Sequence, residues 1–561
     1  MRKWLFYPII FIMLLFFVSC SRGETISFVY FIDEVPQSLD PQLATTNTQI
    51  NIITNLYSGL FKNNLQNEIE PYIVKDYSVN ENELEYTFNL KDDFKYNYAY
   101  DSTKDEFVTP SKNNEALVVT AYDFEFAFKR IFDKNTNSPY AKEFSNILNA
   151  KKVLNETISS DALGVKAIDE FTLRITLEIP DDDFISKLTL AGAMPCNEKF
   201  FNMSKGTYGL VGKKNVSEKI LSNGTFYLSV WNEQDGVTLR KQEFDETDIN
   251  RIRFVTEKGF YIAPNATKEE KENFEFPTQL ERLKSMQTNA EILNSEFLHE
   301  FDGEVFSNKT WAISFNNKDK YFSNKDIRNG ISYSTRFMQK YDYDMNFSKP
   351  LGIIPSDITI GKEKFRNIAV SLQEPSSNGA EIYKQGLETL YNEGKINKNK
   401  VLSNVKILVP DSEYFIKLAQ EITQKWQKEL SLFVSIETLP INELKKRVES
   451  GNYQLAFYPF TASQNDIVSL VSIFSSENEF NFLNYTNEQY DDIMNNISTD
   501  INDEQLISFL CSAEELLLQD FACVPIVNEN SFIAINGVKD IVIQPFGPIF
   551  DLTWAKVNDK G

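Results

Sequence analysis

The chain has 561 residues, 45 of them Phe and 25 Tyr, and a formal net charge of −23 at pH 7. So acidic a balance argues against nucleic acid as a partner, because binding it calls for a basic face. The length is too great for one core and enough for two or three lobes, and the ring content suits a large core or a pocket that grips ligand through ring faces.

The first twenty residues read as an export signal: Arg2 and Lys3, an apolar run from Leu5 to Val18, then Phe17-Val18-Ser19-Cys20. The run is too short for a membrane span. A small residue directly before Cys20 gives the end of the signal the form of a lipobox, although Phe17 stands where bacterial lipoproteins usually carry Leu. Cleavage there makes Cys20 the mature N-terminus and its lipidation site, tethering the rest of the chain to a membrane.

Thr25 to Ile32 then reads as a strand, with Gln37-Ser38-Leu39-Asp40-Pro41 as the turn after it. Gln49 to Phe61 has Ile50, Ile53, Leu56, Tyr57 and Leu60 at helical spacing. Glu83 to Leu90 alternates as a half-buried strand, with Leu84, Tyr86, Phe88 and Leu90 on one face. Thr120-Ala121-Tyr122-Asp123 has the form of a capping box and opens a helix carrying Ala121, Phe124, Phe128 and Ile131 on one side, ending near Asp133. Strands follow at Phe171 to Ile179, Phe226 to Trp231 and Val237 to Lys241, the last two joined at Asp235-Gly236. Lys268 to Glu275 is charged and reads as a solvated insertion. Trp311 to Phe315 alternates as a strand, and a helix begins at Asp326. The clearest unit is a strand over Val405, Ile407 and Val409, an amphipathic helix over Phe415, Leu418, Ala419, Ile422, Trp426 and Leu430, and a strand over Leu432, Val434 and Ile436. That order implies a right-handed crossover and a parallel pair. A helix stripe at Leu506, Leu510, Ala513 and Leu517 and the apolar run Val524 to Val527 close the series.

Catalytic motifs are missing: the chain has no Gly-x-Ser-x-Gly, no phosphate loop, no His-Glu-x-x-His and no Cys-x-x-Cys. The one histidine, His299, cannot build a metal site or a triad alone, so no metal or cofactor is expected and the chain is read as a non-enzyme. Cys196, Cys511 and Cys523 match no zinc or redox spacing, and a Cys511 to Cys523 bridge is the one conceivable pairing. Acidic groups such as Asp181-Asp182-Asp183 read as solvated surface. A glycosidase built on two carboxylates would leave no sequence signature and ranks low.

Several phrases in order, behind the lipobox, resemble the solute-binding lipoproteins of bacterial ABC importers, of the oligopeptide- and dipeptide-binding type (family 5). They are Ser38-Leu39-Asp40-Pro41 with Leu56-Tyr57-Ser58-Gly59-Leu60, Val119-Thr120-Ala121-Tyr122-Asp123-Phe124 with Ala127-Phe128-Lys129-Arg130, and Ser222-Asn223-Gly224-Thr225-Phe226-Tyr227-Leu228. Ser314-Phe315-Asn316-Asn317 and Ala513-Glu514 with Asp520 and Pro525-Ile526 continue the series. The resemblance implies an α/β fold of the periplasmic-binding-protein type (type II, cluster C), with two main lobes, a hinge and an additional inserted lobe. Projected here, the signal peptide is 1–19, lobe I takes 20–57, 185–306 and 530–561, lobe II takes 58–184, and lobe III takes 307–529. Lobes I and III are expected to close on ligand, which touches both only when they are shut.

In the peptide-binding members an extended ligand pairs its backbone with strand-like segments, so many side chains are tolerated. Its ammonium is held by an Asp in a Trp-x-Ala-Asp-Tyr-x-Asp-Pro phrase. The matching stretch here is Phe460-Thr461-Ala462-Ser463-Gln464-Asn465-Asp466-Ile467, which puts Ser463 at that Asp and Pro459 where a glycine is frequent. A buried ammonium without its carboxylate costs about 3–5 kcal/mol, roughly two to four powers of ten in affinity, and proline removes an N–H donor. Three readings stay open: the acid comes from Asp466, Asp33 or Glu34; the ligand has no terminal ammonium; or the register is shifted by two or three residues. The expected ligand-binding residues are Thr45, Thr46 and Asn47 from lobe I, with Pro459, Phe460, Thr461, Ala462, Ser463 and Asp466 from lobe III, Phe460 offering a stacking face.

The resemblance thus implies a monomeric extracytoplasmic lipoprotein, in the periplasm or on the cell surface, that passes a peptide or similar solute to an ABC permease and its ATPase. The altered Ser463 segment keeps a second reading open: a surface lipoprotein of the same fold that binds a non-peptide solute such as an oligosaccharide, or serves as adhesin or sensor without transport.

Overall fold

The computed structural model describes residues 25–558 apart from 182, 205–207, 211–219, 243–245, 263–265, 268–273, 294–299, 337–346, 357, 361–362, 370–377, 462–466, 479–480, 498–500, 502 and 545–548. Cys20, His299, Ala462, Ser463 and Asp466 lie outside the described residues, as does most of the Lys268 to Glu275 insertion.

In the first half of the chain, β1 (Ser27–Phe31) buries Phe28, Val29 and Tyr30 in succession, as a strand covered on both faces does. Helix α1 (Asn47–Leu56) starts from a capping box between Thr46 and Gln49. Strand β2 (Glu85–Leu90) buries Tyr86, Phe88 and Leu90 by alternation. The Thr120 and Asp123 capping box opens α2 (Ala121–Ile131), whose Ala121, Phe124, Phe128 and Ile131 are fully buried. Strands β3 (Phe226–Asn232) and β4 (Gly236–Lys241) form a hairpin whose turn puts Gly236 at φ +75°. They are followed by β5 (Arg251–Val255) and β6 (Asn289–Leu293).

The second half opens with β7 (Asp302–Phe315), α3 (Lys325–Arg336) and α4 (Gly379–Asn392). The expected unit follows as β8 (Val405–Pro410), α5 (Glu413–Leu430) and β9 (Val434–Leu439), with β8 and β9 parallel from Val405↔Val434 to Pro410↔Leu439. Next come α6 (Ile441–Glu449), β10 (Leu455–Thr461), α7 (Ile467–Ser472), α8 (Asp503–Gln519) and β11 (Cys523–Asn536).

One sheet joins both halves in the order β3-β4-β5-β1-β6-β11-β7-β10-β8-β9. Its middle is the antiparallel pair β7 and β11, each 14 residues long. The expected Trp311 to Phe315 strand is only the last part of β7. The rest is masked in the sequence by polar residues such as Asp302 and Lys309, which a strand carries readily when its backbone is paired on both sides. Phe306 faces Ser531 and Lys309 faces Glu529, so Ser307 and Asn308 oppose the single residue Asn530: a β-bulge midway along the pair. A second irregularity admits Pro525 into β11 beside Ile526.

The cores divide at the bulge. Phe306, Ile533 and Ile535 join one large cluster with Phe28, Leu56, Phe88, Phe128 and Phe254. Beyond the bulge the sheet is covered on both faces. One cluster takes Leu408, Ala456, Tyr458 and Phe460 under α6 and α8; the other takes Ile407, Val409, Leu455 and Phe457 under α5, whose Trp426 is fully buried. Within β8 and β10 neighbours in sequence go to opposite cores, as a period of two requires.

Candidate functional site

Strands β1, β5 and β6 are mutually parallel, and the far end of β6 pairs Leu293 with Phe532 beside the bulge. On the other side β8, β9 and β10 are parallel, and β10 ends with Thr461 opposite Lys309, also beside the bulge. The carboxyl ends of both parallel sets therefore point at the bulge in the pair β7 and β11. Crevices at the carboxyl ends of parallel strands are where open α/β sheets take ligands.

Thr45, Thr46 and Asn47 are exposed at the start of α1. Part of their bonding capacity is used locally: the Thr45 and Thr46 backbone N–H groups donate to Gln49 Oε1 at 3.1 Å each, and Gln49 Nε2 donates to the Ser38 carbonyl at 3.0 Å. The preceding carbonyl, of Ala44, accepts from the Tyr140 hydroxyl at 2.8 Å. Two residues beyond Tyr140, Lys142 Nζ donates to Ser472 Oγ at 3.0 Å, at the end of α7 and in the other half of the molecule. The Thr45 to Asn47 turn is thus tied to the element that bridges to α7.

Pro459, Phe460 and Thr461 form the end of β10, where they pair with Trp311, Thr310 and Lys309 of β7. Pairing with β8 on the other side covers only Leu455 and Ala456. Beyond Ala456 the strand has the form a ligand needs if it is to add its own strand. Its side chains are turned elsewhere. Phe460 is 1 % exposed, its ring among Tyr458, Phe474 and Phe482, while Thr461 is exposed. Phe460 therefore presents no stacking face to solvent, and this stretch offers backbone and the Thr461 hydroxyl.

A charged row unmarked in the sequence crosses the same end of the sheet. Thr461, Lys309 and Glu529 are register partners across β10, β7 and β11. Lys309 Nζ meets Glu529 Oε1 at 2.8 Å, and Trp311 Nε1 donates to Glu529 Oε2 at 2.5 Å. Lys445 of α6 lies within electrostatic reach: burial, then the charge of Lys309, holds its ammonium below the usual lysine range against the pull of Glu449 and Glu529. Thr461 was expected from the sequence, but nothing there singled out Lys309, Glu529 or Lys445, because a lysine on an amphipathic helix or a polar strand position is ordinary surface until the register is known.

The phrases that carried the resemblance turn out to touch. Asp40 forms a buried bidentate pair with Arg130, at 3.1 and 2.5 Å, while Arg130 stacks over Phe201 and Tyr208. Burial opposes the guanidinium charge, but the Asp40 bonds outweigh it and raise its pKa. Asn223 Oδ1 accepts from the Ser58 N–H at 3.2 Å and its Nδ2 donates to the Ser58 carbonyl at 2.9 Å. Gly224 lies against the same turn, where a Cβ would come within 2.6 Å of the Leu56 carbonyl carbon. Glu514 accepts from the Ile353 and Ile354 N–H groups and pairs with Arg366. Asp181 corrects the reading of its acidic run as solvated: it is 8 % exposed and paired with Lys187 at 2.7 Å. Cys196, Cys511 and Cys523 take part in no disulfide, so the conceivable Cys511 to Cys523 bridge is not formed here. Among the described residues no helix is long and apolar enough to cross a membrane, and no group of three or more His, Cys, Asp or Glu could hold a metal ion.

Residues 68–482 match the family described as bacterial extracellular solute-binding proteins, family 5 Middle. The chain is 25% identical to the dipeptide-binding protein DppE of Bacillus subtilis over 550 residues, covering 96% of this chain and 93% of that one. It is 22% identical to the oligopeptide-binding protein OppA of the same organism, covering 94% and 92%. Among solved structures, peptide-bound OppA of Listeria monocytogenes superposes with a TM-score of 0.72 at 20% identity, over 96% of this chain and all of that one.

Proposed function

The chain belongs to the bacterial extracellular solute-binding proteins of family 5, and from that premise we propose that it captures a peptide or peptide-like solute between two closing lobes and delivers it to the permease of an ABC importer. The observation that carries this reading is the convergence of two sets of parallel strand ends on one bulged two-strand crossing, the place where open α/β sheets take ligands. Lobe I comprises 20–57, 185–306 and 530–561, lobe II 58–184 and lobe III 307–529. The division of the buried cores at the bulge supports the boundary between lobes I and III. The ligand adds as a strand along Pro459 to Ser463 and meets the Thr45 to Asn47 turn from the other side. DppE and OppA, named for dipeptide and oligopeptide binding, support the ligand class. A lipid on Cys20 tethers the protein outside the cytoplasm. Intact-mass analysis of membrane-extracted protein should show acyl chains that Cys20→Ala abolishes.

Native mass spectrometry of protein purified without unfolding tests the ligand class. A spread of masses that resolves into peptides on release is expected. A single non-peptide mass would replace the peptide with that solute, and a protein that stays empty against peptide pools would sink the transport reading.

A further inference from the structure

On β1, Phe28 and Tyr30 join the large core, while Phe31, the last residue of the strand, turns to the opposite face of the sheet. There it stacks on Tyr261, the ring centroids 6.0 Å apart and the planes 4° from parallel, and Tyr261 stacks in turn on Phe274 at 6.1 Å and 26°. Phe260 and Phe276 pack edge-on against this ladder, Phe260 at 5.4 Å from Phe31 and Phe276 at 5.0 Å from Phe274. The rings come from three places: the end of β1, the short helix Glu257–Tyr261 that follows β5, and the stretch before the helix Gln279–Ser285.

Five rings in mutual contact would ordinarily make a small core. None of these is buried, Phe274 is 38 % exposed, and none joins any of the four buried clusters. What lies beneath them is firmly held. Arg282, 4 % exposed, places its guanidinium 4.5 Å from the Phe31 ring centroid. It bonds Glu291 at 2.8 and 2.9 Å, pairs with Glu257, and donates to the Pro277 carbonyl at 3.0 Å. Most of its donors are thus spent, and the patch offers ring surface. On the other flank the Arg253 guanidinium covers Phe260 at 5.0 Å. An apolar patch with a charged rim is the kind of exposed surface that marks a binding site, and one already fixed in place needs no ordering when it is occupied.

Position selects the occupant. Phe31 closes β1, and Glu257 follows two residues after β5 ends, so the ladder starts at the carboxyl ends of two adjacent parallel strands. Ligands of open α/β sheets lie at such ends. A peptide that adds as a strand projects successive side chains to opposite sides, and one ring projected here continues the stack beyond Phe274, taking both rings out of water. We infer that the ladder of Phe31, Tyr261 and Phe274 receives an aromatic side chain of the bound peptide, so that this protein selects its ligands by a ring at one position. The inference rests on the peptide reading above and adds a side-chain preference to it.

The test is calorimetry of the purified protein with alanine tetrapeptides that carry a single Phe or a single Ser at each position in turn. At one position Phe should bind about tenfold or more tighter than Ser, the scale of one buried apolar side chain. Phe274→Ser should shrink that ratio to less than about threefold, and Phe274→Tyr should keep it. Melting curves of both variants control for folding. Independently of any variant, a peptide carrying p-benzoylphenylalanine at the preferred position should cross-link on irradiation to Phe274, Tyr261 or Phe276. Equal binding of Phe and Ser peptides at every position, or cross-links confined to residues outside the ladder, overturns the inference while leaving the peptide reading intact. So does self-association in the ultracentrifuge that Phe274→Ser abolishes, which would make the ladder a contact between two copies of the chain. Failure of every peptide to bind overturns both.

Discussion

Two buried charged groups show what a point change does here. Arg130 is 5 % exposed and pairs with Asp40 between the first turn and α2. Removing it as Arg130→Met leaves a carboxylate buried without its cation, an effect of about 3–5 kcal/mol, to be read from the urea midpoint at constant m-value. Asp123 is the second. Burial raises its carboxyl from 3.8 to about 6, only partly offset by the bonds from Thr120 and Asn197. The folded chain therefore keeps a proton that the unfolded chain has released, and the stability this provides is complete below 3.8 and lost as the pH rises through about 6. Asp123→Asn should flatten that stretch of the stability profile; a carboxyl carbon titrating near 4 in the native protein would contradict it. The same burial pushes the Cys196 thiol up to about 12, so half-buried Cys511 should react with a thiol reagent well before Cys196 or Cys523.

Among the elements, α5 shows how far spacing alone reaches. Phe415, Leu418, Ala419, Ile422, Trp426 and Leu430 are its buried residues, the stripe read from the sequence. Trp426 is fully buried and donates to Thr335 Oγ1 at 3.0 Å, tying α5 to α3. Trp426→Ala should cost about 3–5 kcal/mol through the cavity it leaves, visible as a lower melting temperature with ligand affinity per folded molecule unchanged. By contrast β7 and β11 were legible only in part, because a long strand bonded on both sides gains its stability from backbone pairing and tolerates Asp302, Lys309 and Glu529 at positions a period-two reading discards. Helix α4 escaped notice for a related reason: its first turns carry glycine and charge, and it is held by packing on α3 through Tyr383 and Leu390.

At the scale of the molecule, the cores on the two sides of the bulge are connected through the bulged pair and by the bond from Lys142 to Ser472. If closure around ligand makes that bond, Lys142→Ala should weaken binding about two- to tenfold without moving the melting temperature of the ligand-free protein. X-ray scattering should then show a smaller radius of gyration on adding ligand to the native protein and a weaker contraction at equal ligand in the variant.

By itself the sequence determined the local elements and the family phrases, since capping boxes, turn glycines and apolar periods act within a few residues of one another. Thr120 with Asp123 and Gly236 are such cases. Only the tertiary structure decided what those phrases are for: that Asp40 meets Arg130, that Asn223 grips the turn at Ser58, and that Phe460 turns inward. The row Thr461, Lys309, Glu529 was beyond the reach of sequence for the same reason. Its members lie on three strands far apart in the chain, and only hydrogen-bond register, set by the whole sheet, puts their charges side by side.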